Sequence, residues 1–87
     1  MGTVYRIYTE DLNRGEVIRL TGKRFESFTL HPTTGYYRGR AEKSIVLEIV
    51  EAKRKEVSAL ANEIRRLNGQ KSVLIMGLTG KVKRMTT

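Results

Sequence analysis

The chain has no cysteine and no tryptophan, one proline, one histidine, and only 9 acidic residues against 17 basic ones in 87. Each shortage excludes something. Without cysteine there are no disulfides, no zinc–thiolate centre and no thiol nucleophile. A single histidine, His31, has no recognisable nucleophile or orienting partner, so a catalytic role for it has no support in the sequence. One histidine and three methionines supply a soft metal poorly, and neither a metal nor another cofactor is expected. No apolar run reaches the ~20 residues needed to span a bilayer. The first residues lack the apolar stretch of a secretory signal, which gives a cytoplasmic expectation. A chain this short holds one domain, with a core small enough to gain from self-association.

What is present is a net charge of +8. An excess of lysine and arginine favours anionic partners: nucleotides, phosphates or nucleic acid. The clusters are Lys53-Arg54-Lys55, Arg65-Arg66 and Lys81-Val82-Lys83-Arg84. The first is read as a solvated helix start.

Hydrophobic patterning sets the order of elements. Residues 4–9 are β-branched and aromatic, a strand. A helix follows to about Arg24, with Asn13 as its cap and Glu16 three residues on as a capping box requires. Helix capping also accounts for the neighbouring acids Glu10 and Asp11. Ser27 to His31 reads as a second strand, interrupted by Pro32, which cannot donate to a ladder. The segment from His31 to Ser44 reads as a long, partly extended hairpin connection. Ser44 to Val50 is the strongest strand, apolar on both faces. Val57, Leu60, Ala61, Ile64 and Leu67 repeat at helical spacing within Arg54 to Leu67, and Gly69 suits the left-handed stop. Lys71 to Leu78 is the last strand, with Gly77 to Gly80 bending its end.

The order βαββαβ with right-handed crossovers predicts an α+β, ferredoxin-like domain over residues 1–80, followed by a basic tail, 81–87. Its four-stranded antiparallel sheet carries two helices on one face, with the first and third strands central. The other face, with Val4, Arg6, Tyr8, Val46, Glu48 and Val50, is left uncovered, and Arg6 and Glu48 fall on neighbouring strands where they can pair across it or meet between subunits. A half-apolar open face in so small a domain suggests a partner, most simply another copy.

The run from Phe28 to Ile49 contains Tyr36-Tyr37-Arg38-Gly39-Arg40, then Glu42, then the apolar strand. It resembles the CutA-like branch of the PII-like superfamily, specifically over residues 28–50 and as architecture over most of the chain. The resemblance implies a homotrimer with its sheets facing a three-fold axis. It implies ligand clefts between subunits near the connection of the second and third strands, taking nucleotides or other anionic metabolites. It also implies a sensor rather than an enzyme.

The residues of that connection fit such a ligand. Arg38, Arg40 and Lys43 are cations for an anion, and arginine can grip phosphate as a fork. Tyr36 and Tyr37 can stack on a base. Thr34 offers a hydroxyl, and His31 completes the candidate ligand-binding set. The plainer alternative packs the tyrosines against a neighbouring subunit and leaves the arginines solvated. A different function class, a basic nucleic-acid-binding module, would use the sheet as RNA-recognition domains do, with aromatics on the first and third strands. Tyr5 or Tyr8 serves on the first, but the third has none.

Overall fold

In the computed structural model, which describes residues 2–80, the order is β1 (Gly2–Glu10), α1 (Arg14–Arg24), β2 (Thr29–Tyr37), β3 (Arg40–Val50), α2 (Arg54–Asn68) and β4 (Leu74–Gly80). The strands form one antiparallel sheet in the order β2-β3-β1-β4. This is the expected ferredoxin-like α+β fold, with β1 and β3 central. The tail 81–87 lies outside the described residues.

Alternation along the strands sorts the sheet into two faces. Ile7 on β1 and Ile45, Leu47 and Ile49 on β3 turn inward and are fully or almost fully buried. They meet Val17 of α1 and Val57, Leu60, Ala61 and Ile64 of α2 in one core. The helical stripe read from the sequence is thus buried, except that Leu67 at its end stays exposed. Gly69 closes α2 in the left-handed conformation, φ 64°, its N–H donating back to the last carbonyls of the helix. Gly77 is dictated by packing: a Cβ there would lie 2.9 Å from Tyr5 Cε1, so only glycine lets the Tyr5 ring lie across β4.

Five expectations are corrected. Asn13 does not cap α1 with its side chain. Its backbone is left-handed, φ 53°, a conformation asparagine tolerates, and its amide instead donates to Asn68 Oδ1 at 3.0 Å. Glu16 pairs with Arg19 and Asp11 with Arg14, so these acids serve ion pairs and not a capping box. Pro32 does not interrupt β2, which runs on to Tyr37 with Pro32 opposite Ile45. β2 is an edge strand, and an edge position that bonds no neighbour needs no N–H. The segment 31–44 is therefore no long connection. It is a two-stranded ribbon closed by Arg38 and Gly39, both at positive φ (50° and 77°), a two-residue turn whose twist matches the strands. Finally, β4 begins at Leu74, three residues later than the sequence suggested.

Pairing between β1 and β3 ends at Glu10 and Ser44, whereas β2 and β3 stay paired out to Tyr37 and Arg40. The ribbon thus reaches beyond the rest of the sheet as an arm. Side chains from Asn13, Asn68, Gln70 and Thr9 form a hydrogen-bonded chain beside its root, tying the start of α1 to the end of α2 and to β1. No helix among the described residues is long and apolar enough to cross a membrane.

Candidate functional site at the root of the hairpin arm

Register decides which of the candidate residues share a face. Thr34 stands opposite Lys43, and Tyr36 opposite Ala41, on the side continuous with the helix-covered face. Thr33 opposite Ser44 and Tyr37 opposite Arg40 lie on the side of the open face, where His31 also sits opposite Val46. The seven candidates are therefore close in sequence but divided in space.

Thr34 and Lys43 come together at the arm's root. With Pro32, Thr33 and Ser44 they line a cleft of about 400 Å³, whose other wall is Asp11 and Arg14 from the end of β1 and the start of α1. Thr33 and Ser44 hydroxyls bond each other at 2.7 Å. Arg14 donates to both Asp11 oxygens, at 3.0 and 2.5 Å. That hydrogen bond, and then the charges of Arg14 and Lys43, hold the Asp11 carboxyl below its ordinary range. One carboxylate thus faces two cations, leaving the cleft with an excess positive charge suited to an anion. Asp11 and Arg14 were not singled out as ligand residues in the sequence. The strand order alone contained the signal, because it sets the end of β1 beside the start of β3.

The lowered Asp11 value fixes a sign. The pair's contribution is fully present above the carboxyl's unfolded pKa and is lost as pH falls through the depressed folded value. An NMR titration of the Asp11 carboxyl should give a midpoint below that of an ordinary aspartate, and Arg14→Ala should return it to the ordinary range. A normal midpoint in the parent protein would contradict the pairing.

The remaining candidates lie elsewhere. Tyr36 and Tyr37 are 75% and 61% exposed at the arm's tip. The Arg38 guanidinium lies 5.3 Å from the Tyr37 ring centroid, a cation–π distance. Arg40 follows directly after the turn. His31 belongs to a separate group on the open face with Arg6, Tyr8, Thr33, Val46 and Glu48, bordering a shallow cleft of about 390 Å³. Arg6 Nε donates to Glu48 Oε2 at 2.9 Å, the pairing expected from the sequence, and His31 Nε2 lies 3.8 Å from the other Glu48 oxygen. The hydrogen bond to Glu48, followed by one to Tyr8, raises the Arg6 pKa. Of the two tyrosines considered for a nucleic-acid platform, Tyr8 lies on the open face, while Tyr5 turns toward the helices and packs over Gly77. On β1 and β3 the open face therefore presents one aromatic in place of an aromatic pair. Among the described residues, no group of three or more His, Asp or Glu side chains is placed to hold a metal ion.

Comparison with known proteins finds solved structures of similar fold. No protein-family model and no curated protein sequence matches the chain. A phage SAM lyase in complex with S-methyl-5'-thioadenosine is similar at TM-score 0.69 and 18% identity, covering 88% of this chain and 80% of that one. CPII from Thiomonas intermedia K12, a nitrogen regulatory PII-like protein bound to ADP, AMP and bicarbonate, is similar at TM-score 0.68 and 13% identity, covering 98% and 96%. CutA from Synechococcus elongatus PCC7942, complexed with Bis-Tris, is similar at TM-score 0.63 and 10% identity, covering 91% and 79%. At these identities the likeness is one of fold, and the fold of this chain is that of the PII-like and CutA proteins.

Proposed function

We propose that this chain forms a non-enzymatic homotrimer that binds an anionic small ligand, of the nucleotide class, in clefts between subunits, and that it senses, regulates or sequesters that ligand. The observation that carries this reading is the root cleft, where Lys43 and Arg14 face a single carboxylate beside Thr33, Thr34 and Ser44. The cleft adjoins an arm whose tip presents Tyr36, Tyr37, Arg38 and Arg40, groups that can stack on a base and grip phosphate. The half-apolar open face supplies a surface for neighbouring copies, and the resemblance over residues 28–50 points the same way. Two of the fold neighbours, the lyase and CPII, are described with adenine nucleosides or nucleotides bound.

In this arrangement Lys43 and Thr34 hold the anion at the root, and the tip residues complete the cleft toward a neighbouring subunit. His31 stands apart, on the face turned toward the three-fold axis. Native mass spectrometry of freshly purified protein should show three chains, with added mass of nucleotide size. Lys43→Gln should weaken ADP binding in calorimetry about tenfold, the scale of one charge-assisted hydrogen bond. Alanine at both Arg38 and Arg40 should abolish binding and leave the trimer intact. A monomer, or ADP affinity untouched by these changes, overturns the reading. Because the same fold serves a lyase, the recovered ligand matters too: intact ligand supports binding alone, and turnover rejects the non-enzymatic part.

A further inference from the structure

We propose a second anion site at the opposite end of β1 from the arm, taking phosphate or a phosphate monoester. On the helix-covered side of the sheet, Thr3 and Tyr5 of β1 and Ile75 and Gly77 of β4 floor a cleft of about 360 Å³. Arg54 and Ser58, one helical turn apart on α2, line its other wall. The absence of a side chain at Gly77 lets the Tyr5 ring lie across β4 as part of this floor.

Charge sets this cleft apart. The other three clefts described each include a carboxylate: Asp11 at the arm's root, Glu48 on the open face, and Glu26 and Glu51 beside β3. Here the lining holds one arginine, three hydroxyls and no acid. Arg6, Arg14, Arg19 and Arg24 are all held by carboxylates. Arg54 has no such partner among the described residues. Its guanidinium is therefore uncommitted, and it carries donors in a fork that matches two phosphate oxygens. The Ser58, Thr3 and Tyr5 hydroxyls can donate to the remaining oxygens. The volume exceeds what an inorganic phosphate fills, so the esterified oxygen has room for a substituent along the Tyr5 ring. The lining has no carboxylate to repel an anion, and its one charge is positive, so an anion is favoured over a neutral or cationic ligand.

The site shares no residue with the root cleft, so its test is separable. The full chain, labelled with ¹⁵N, is titrated with inorganic phosphate and then with glycerol 3-phosphate. The amides of Thr3, Tyr5, Ser58 and Gly77 should shift and saturate, the ester binding at least as tightly as phosphate. Arg54→Gln should weaken binding about tenfold or more. Arg54→Lys, which keeps the charge and loses the fork, should recover part of that loss, and Lys43→Gln should change nothing at these amides. Shifts that do not saturate, or that persist unaltered in Arg54→Gln, overturn the site. A response lost in Lys43→Gln instead of Arg54→Gln assigns the anion to the arm's root and overturns it as well.

Discussion

With Leu74→Asp and Met76→Asp combined, the protein should sediment as single chains, whereas the parent, as the proposed trimer, should sediment as three. The reason lies on the open face. Register places Leu74, Met76 and Leu78 of β4 beside Tyr8, Arg6 and Val4 of β1, with Val50 opposite Val4 on β3. Leu74 is 60% exposed and Leu78 46% in one chain. Covering such side chains stabilises an assembly by roughly 1.5–3 kcal/mol for each one fully buried. Two carboxylates in the same place must be desolvated on association, which costs more than the apolar contact contributed. The substitutions leave Ile75, on the helix side of β4, in contact with the core. Circular dichroism of the variant should therefore match the parent. A parent that is already a monomer, or a variant that stays associated, refutes this use of the face.

Leu60→Ala should lower the unfolding free energy by about 2–5 kcal/mol, the range for deleting a fully buried leucine and leaving a cavity. Leu60 is 0% exposed and sits in the core shared by α2 and the sheet. For a small domain whose whole stability is on the order of 5–15 kcal/mol, that loss is a large fraction. The melting temperature should fall by about 10 °C or more, since each kcal/mol shifts a domain of this size by about 4–8 °C. Parent and variant must be compared at one protein concentration, because association contributes to apparent stability. A drop of only a degree or two would mean that the helix relaxes into the space. Leu67→Ala on the same stripe is the internal comparison: its exposed side chain should cost far less.

The elements that were legible in the sequence are those whose pattern is local. The α2 stripe and its stop at Gly69 follow from helical spacing and from glycine's freedom at positive φ. From Ser44 onward β3 follows from an apolar run that only Glu48 interrupts. What escaped depended on distant partners. Asn13 has the side chain of a cap, but a left-handed backbone aims its amide at Asn68, 55 residues away. Pro32 is a breaker by every local rule, yet it stands in a paired strand because that strand is at the sheet's edge. The candidate site divides in the same way. The sequence set Arg6 and Glu48 on neighbouring strands, where the structure pairs them. It did not distribute Thr34 and Lys43 to one side of the arm and His31 to the other, since that requires a register. Nor did it supply Asp11 and Arg14, which only the strand order brings to the arm.

Pro32 also has a bearing on how copies of the chain can add together. An edge strand with every N–H and C=O free is a template for another strand, and successive additions at that edge have no natural end. With Pro32 in β2, the outward row of donors has a gap in it, so a further strand meets a broken ladder on that side. Growth by strand addition is discouraged there, while the apolar open face offers contact of a different geometry. Face-to-face association around an axis closes on itself after a fixed number of copies. One ring-closed residue at the margin of the sheet thus favours a particle of finite size over a filament.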